Sequence, residues 1–340
     1  MKSLRAMETV LQTPPSVLPS SSAPTSVPMP LRTPPPEAMG EAERGAAIFS
    51  RCNLPPWRIS AVEFQDVPQA LEIEGARATD RRLFERLAGV ADAEERGKIF
   101  HDYISVKFRL HEWEEHQASA RASLRHSYVQ LLHGWSADSN GREAAVLKNW
   151  VESRFGLRAT FHSGRLAEDA DARERYWLDR MHGAARMMGV SSQLDLLYTF
   201  CQDELLRRFG KNERWVTLYR GTHDPEEYAV KSGNGAGNGN GGGVGGGGGN
   251  GGGVGGVGGG GVGGVGGGAG GGESLVELNC LSSFTSDSEV AWEFGSRVWE
   301  ARVPLAKVVF FSGLLPRWLL GGESEWLVLG GEYRVKSLRF

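Results

Sequence analysis

Three short segments in the last third of the chain carry the side chains best suited to chemistry. Tyr219-Arg220-Gly221 closes an apolar run that begins at Trp215, Phe284-Thr285-Ser286-Asp287-Ser288 forms an F-x-S-x-S segment, and Glu323-Ser324-Glu325 opens the apolar run Trp326 to Leu329. Side chains two apart on a strand point to one face, so Glu323 and Glu325 are expected on the same side. Arginine suits bidentate contact with a phosphate, and a glycine beside it lets backbone approach a ligand closely. A paired-carboxylate edge, a serine turn and a fixed cation together point to chemistry on a dinucleotide.

Each piece also has a plainer reading. Taken alone, Arg220 is a surface or ion-paired arginine, and Glu323 and Glu325 are solvent-facing residues of a half-exposed strand. Ser286-Asp287-Ser288-Glu289 fits an S-x-x-E capping box ahead of a helix holding Val290, Ala291 and Phe294, which still leaves it free to hold a polar substrate. The Ser282-Ser283 pair before it is ambiguous. His111-Glu112-Trp113-Glu114-Glu115-His116 looks like a zinc-protease motif, but its histidines are five apart. On a helix that separates them by ~140° rather than the ~40° of a four-residue spacing, so a solvated charged face is the better account.

The elements that must position these groups fall into two textures. Between Pro55 and Phe209 apolar residues recur every three or four positions, as in Leu83, Leu87 and Val90 or Leu194, Leu197 and Phe200, which predicts helices. Pro55-Pro56, the Ser136 to Gly141 cluster and Gly164 punctuate them. After Gly210 the texture changes to short runs rich in Val, Leu, Trp and Phe. These predict strands over Arg214 to Tyr219, Leu275 to Asn279, Val298 to Val303, Lys307 to Phe311, Trp326 to Leu329 and Tyr333 to Leu338, with one helix over Asp287 to Arg297. Strands and helices do not alternate there. The expected fold is therefore α+β, a helical N-terminal part packed on a largely antiparallel sheet, and not a doubly wound dinucleotide fold.

Composition limits the remaining options. The chain has 340 residues and a formal charge of −3, with acidic and basic residues interleaved, so neither nucleic acid nor an anionic membrane surface is favoured as a partner. No run of eighteen apolar residues exists and Met1 to Arg5 lacks the apolar stretch of a signal peptide, so a soluble cytoplasmic protein without integral membrane association is the expectation. Cys52, Cys201 and Cys280 lack metal or redox spacing and read as incidental thiols. Residues 1–45 form a Pro/Ser-rich tail too poor in apolar side chains to fold. The organisation that follows is this tail, a mostly helical part over 46–212, and a catalytic part over 213–340. A Gly-rich insertion at 232–272, holding 29 of the 48 glycines, interrupts the last. Its many G-x-G-x-x-G matches lack the preceding strand and following helix of a phosphate loop.

The order arginine, F-x-S-x-S and Glu-x-Glu resembles the R-S-E pattern of arginine-specific mono-ADP-ribosyltransferases. The blocks Leu218 to Thr222, Leu281 to Asp287, Ala291 to Gly295, Glu300 to Leu305 and Glu325 to Tyr333 are similar to those of the dinitrogenase-reductase ADP-ribosyltransferase family. The likeness reaches back to about Asn53, including Leu54-Pro55-Pro56-Trp57, and leaves out the tail and the Gly tract. The resemblance implies an ADP-ribosyltransferase-type sheet and NAD as the ADP-ribose donor. It implies dinitrogenase reductase, the nitrogenase iron protein, as the substrate inactivated on an arginine, so that nitrogen fixation is regulated, and a PII-type nitrogen-sensing protein as a further partner.

By the same resemblance, Glu325 stabilises charge at the ribose, Glu323 receives the acceptor arginine and Ser286 positions Glu325. Arg220, Gly221, Ser286 and Ser288 hold NAD, and no metal takes part. The loop from Phe311 to Gly322 shapes acceptor recognition, with Pro316, Arg317 and Trp318 as contact candidates. The alternatives are a transferase with another protein acceptor, a NAD glycohydrolase using water, and a catalytically weak or inactive regulatory binding protein that keeps the fold.

Overall fold

The computed structural model describes residues 50–110, 127–186, 189–223, 229–231, 273–316 and 324–338. The Pro/Ser-rich tail, the segment from His111 to His116, the Gly tract, Glu323, Arg317 and Trp318 lie outside the described residues.

Nine helices precede the sheet among the described residues: α1 (Pro56–Ser60), α2 (Glu63–Asp66), α3 (Ala76–Thr79), α4 (Arg81–Ala88), α5 (Ala93–Lys107), α6 (Tyr128–Ala137), α7 (Arg142–Phe155), α8 (Ala170–Arg186) and α9 (Val190–Phe209). Local chemistry starts the two that matter most below. Asp92 accepts the Glu95 N–H at 2.8 Å to cap α5, and Ser127 accepts the Gln130 N–H at 3.2 Å to cap α6. The periodic residues Leu83, Leu87, Leu194, Leu197 and Phe200 are all buried. Phe100 of α5 stacks on Phe200 of α9 with centroids 4.3 Å apart. Beside this contact Arg96 makes a two-pronged bond to Glu204, 2.6 Å at each prong, and its remaining nitrogen donates to the Val90 and Ala91 carbonyls. A buried pair with its donors satisfied in this way avoids the cost of a lone buried charge.

Six strands follow: β1 (Trp215–Thr222), β2 (Ala229–Lys231), β3 (Glu273–Thr285), β4 (Arg297–Pro304), β5 (Val308–Phe311) and β6 (Glu325–Leu338), with α10 (Ser288–Glu293) between β3 and β4. Every pairing is antiparallel. β6 pairs along one edge with β3 and along the other first with β5 and then with β4, β4 pairs with all of β1, and β1 returns to β3 at Tyr219 and Thr285. One hydrophobic core runs from Ile59 and Phe64 through Trp150 and Phe200 to Val328 and Tyr333, so the helical part and the sheet bury their apolar faces against each other. Cys201 and Cys280 are buried in it as thiols and Cys52 is half-buried.

The strands depart from the sequence expectation in informative places. The two expected strands Trp326 to Leu329 and Tyr333 to Leu338 are one strand, β6, that runs through Gly330 and Gly331. These glycines are demanded by contact rather than by a turn: a Cβ on Gly330 would lie 1.8 Å from the Asn279 carbonyl oxygen, and one on Gly331 (φ +105°) 2.6 Å from the Ser60 Cα. β3 extends past Asn279 to Thr285, so Phe284 and Thr285, the first two residues of the expected serine segment, are strand. The helix expected from Asp287 to Arg297 is shorter, and its cap is Asp287, which accepts the Glu289 N–H at 2.9 Å, instead of Ser286.

Lys307 occupies the short helical turn between β4 and β5 and is buried. Its amine donates to the Gly330 carbonyl at 3.1 Å and lies 4.5 Å from the Tyr333 ring centroid and 5.5 Å from that of Phe64. Burial pushes its pKa from 10.5 down to about 7, against a smaller opposite pull from Glu332. Between those two values the unfolded chain holds a proton that the folded chain has released, so this residue makes stability rise with pH across the window, by about 1.4 kcal/mol per pH unit at most. Lys307→Met removes the amine and keeps the length. At pH 7 the variant is expected to unfold at a higher temperature than the wild type, by a margin that shrinks toward pH 10. Thermal unfolding at pH 7, 8.5 and 10 checks this, and a margin that is constant or grows contradicts it.

Candidate active site

Three strands bring the candidate groups to one end of the sheet. Thr285, the last residue of β3, sits opposite both Tyr219 of β1 and Glu325, the first residue of β6. A bulge in β3 decides which β3 side chains share the face of Glu325. Leu278 pairs with Gly331 before it and Leu281 with Leu329 after it, three steps on β3 against two on β6. Without that extra residue Phe284 would face Glu325. With it Thr285 does, and Ser283, two positions back on the same face, becomes its diagonal neighbour.

Hydrogen bonds converge on that serine. Ser283 Oγ donates to Glu325 Oε1 at 2.8 Å and accepts from Trp135 Nε1 at 2.8 Å. The direction is unambiguous, because an indole N–H can only donate and a carboxylate can only accept. Ser136 Oγ donates to the other carboxylate oxygen, Glu325 Oε2, at 2.6 Å. Arg220 Nη1 donates to the Ser283 carbonyl at 2.8 Å. One residue therefore ties the cation to the carboxylate, through its backbone on one side and its hydroxyl on the other.

These groups line a cavity of about 430 Å³ between the end of the sheet, α10 and the C-terminal end of α6, a size in the range of small-molecule sites. Its wall carries Arg220 and Glu325 together with Tyr219, Ser283 and the half-exposed ring of Phe294. A larger cavity of about 710 Å³ lies at Ser50–Ala78 and α9. It lacks this convergence: of the arginines there, Arg77 is paired with Asp203 and Arg51 donates to the Glu74 carbonyl. Among the described residues no group of three or more His, Cys, Asp or Glu side chains could hold a metal, and no helix is long and apolar enough to cross a membrane.

The structure brings Arg220, Gly221 and Glu325 to one cavity, and of the other expected residues that are described, Ser286 and Ser288 stand apart from it. The serine expected to position Glu325, Ser286, is exposed beyond the end of β3, and the bond is made three residues earlier by Ser283. Neither Ser286 nor Ser288 lines the cavity. Pro316 is buried against α5, where a Cβ on Gly97 would lie 3.2 Å from its ring, so it offers no surface to a protein substrate. Trp135 and Ser136 carried no signal in the sequence, lying a long way from the three segments at the start of the Ser136 to Gly141 breaker cluster. Gly221 has a structural duty: a Cβ there would lie 2.0 Å from the Ala291 carbonyl oxygen of α10, and one on Gly295 would lie 2.1 Å from the Thr222 nitrogen. The two glycines let β1 and the turn after α10 meet backbone to backbone.

Chemically, the site presents a carboxylate whose two oxygens are each fixed by one hydroxyl donor, with lone pairs left to accept from a ligand hydroxyl. A guanidinium stands beside it for an anionic group, and an aromatic face for a planar ring. The sequence model of the family described as dinitrogenase reductase ADP-ribosyltransferase matches residues 49–238 and 266–337, a span that includes every residue of the site. The NAD(+)--dinitrogen-reductase ADP-D-ribosyltransferase of Rhodospirillum rubrum is 34% identical to this chain over 305 residues, covering 88% of this chain and 98% of that protein. No solved structure matches.

The packing of Gly221 gives a direct test. Gly221→Ala forces α10 away from β1 and is expected to lower stability by about 1–3 kcal/mol, read as a fall in unfolding temperature. An unchanged unfolding temperature with a loss of ligand affinity alone would contradict the packing account.

Proposed function

Because this chain belongs to the dinitrogenase reductase ADP-ribosyltransferase family, we propose that it moves ADP-ribose from NAD to an arginine of dinitrogenase reductase. Glu325 is the central group of the site and Arg220 the anchor of the NAD phosphates. The observation that carries this reading is the convergence of Glu325, Ser283 and Arg220 on one cavity. By inactivating its substrate, the transfer regulates nitrogen fixation.

The chemistry follows from the residue types. The bond between ribose C1′ and the nicotinamide nitrogen breaks, its electron pair leaves with neutral nicotinamide, and positive charge develops on the ribose. An ionised carboxylate fixed in advance stabilises that charge without reorganising, and accepts a bond from a ribose hydroxyl. Ser283 and Ser136 hold Glu325 in that orientation. Phe294 gives a flat apolar face to a planar ring of the dinucleotide. The acceptor arginine is protonated at any physiological pH, so attack of its nitrogen on C1′ requires a base to take the proton released. That role falls to Glu323, two residues before Glu325. A PII-type protein as a regulatory partner rests on the family resemblance alone.

Transfer of tagged ADP-ribose from NAD to purified dinitrogenase reductase tests the reading. Glu325→Gln, which has the same shape, is expected to lose label transfer and nicotinamide release together, by at least about 100-fold. Glu323→Gln is expected to lose transfer and retain nicotinamide release. Transfer by Glu325→Gln above a tenth of the wild-type rate would contradict the role of that carboxylate. Nicotinamide release by the wild type with no label on the reductase would discard the acceptor and keep the NAD chemistry.

A further inference from the structure

We propose that Ser136, from the helical part of the chain, is a positioning residue for the Glu325 carboxylate, so that α6 supplies half of the catalytic geometry. The inference rests on the reading that Glu325 acts at the ribose. Two donors meet the carboxylate, one on each oxygen: Ser283 at 2.8 Å on Oε1 and Ser136 at 2.6 Å on Oε2. A glutamate side chain held at one oxygen can still turn about its terminal bond, whereas donors on both oxygens fix the plane of the group. Catalysis depends steeply on such orientation.

The helix beneath Ser136 is built to hold it in place. Leu131, Leu132 and Trp135 of α6 are buried in the core. Its first residue, Tyr128, donates its backbone N–H to Gln193 Oε1 at 3.0 Å. A Cβ on Gly134 would lie 2.4 Å from the side chain of Glu143 on α7, so the two helices touch there. The Lys148 amine, also on α7, lies 5.9 Å from the Trp135 ring. A slip of one residue along α6 would turn Ser136 by about 100° away from Glu325.

Trp135 and Ser136 thus act as neighbours on one rigid turn, the first through the Ser283 hydroxyl and the second directly. The Ser136 side chain itself is exposed and lines the cavity. Its hydroxyl contributes no core packing, so its removal is expected to leave the fold intact.

The test is steady-state nicotinamide release from NAD by the full chain, with dinitrogenase reductase present, for wild type, Ser136→Ala and Ser136→Thr, alongside their unfolding temperatures. Loss of a hydrogen bond to a charged group is expected to lower kcat of the alanine variant about 10-fold to 100-fold. KM for NAD should stay within about threefold and the unfolding temperature should not change, while threonine keeps kcat within about threefold of wild type. An alanine variant with wild-type kcat overturns the proposal. So does a rise in KM alone, which would make Ser136 a contact of bound NAD, or a fall in kcat that tracks a fall in unfolding temperature and is not restored by threonine. No nicotinamide release by the wild type would instead remove the reading of Glu325 on which the proposal stands.

Discussion

The indole N–H of Trp135 can only donate, and that constraint orients the whole site. It engages a lone pair of the Ser283 hydroxyl, leaves that hydroxyl's single proton for Glu325, and so sets the direction of a relay from a core tryptophan to a carboxylate. The Ser283 carbonyl receives Arg220. Moving Ser283 would therefore remove one bond from the cation and one from the carboxylate at once. Its place depends on the bulge in β3, because a shift of one residue in register carries every side chain to the opposite face. The Asn279 side chain anchors the bulge, accepting the Cys280 and Thr160 N–H groups and donating to the Phe161 carbonyl. Gly330 opposite leaves room for the Asn279 carbonyl and offers its own carbonyl to the buried Lys307 amine. Core packing and site geometry are thus set by the same few contacts.

This arrangement makes the helical part more than a support. α6 reaches the carboxylate twice, through Trp135 by way of Ser283 and through Ser136 directly. The helices share one continuous core with the sheet. The arginine, serine and glutamate of the sheet are consequently an incomplete description of the site. The hydroxyl that completes the carboxylate's environment comes from a segment almost two hundred residues earlier in the chain.

Much of this was legible in the sequence, for physical reasons. Apolar spacing placed α9 and the core residues Leu194, Leu197 and Phe200, and the change of texture after Gly210 located the start of the sheet. Arg220 and Glu325, singled out by the adjoining glycine and by the carboxylate pair opening an apolar run, both line the cavity. Ser283 was passed over for Ser286 because a bulge leaves no mark in hydrophobic alternation, and the extra residue at Asn279–Cys280 changes which serine faces Glu325. Gly330 and Gly331 read as a break between strands because a glycine required by a neighbour's backbone looks the same in sequence as one required by a turn. Trp135 and Ser136 could not be found locally, since their role exists only through tertiary contact with β3 and β6.

The central claim is that Trp135 acts on Glu325 through the Ser283 hydroxyl. A double-mutant cycle with Trp135→Phe and Ser283→Ala, read as kcat for nicotinamide release from NAD, tests it most directly. Each single substitution is expected to slow release, and the second is expected to add little once the first is made, leaving a coupling of about 1 kcal/mol or more. Costs that simply add would show two independent residues and contradict the relay.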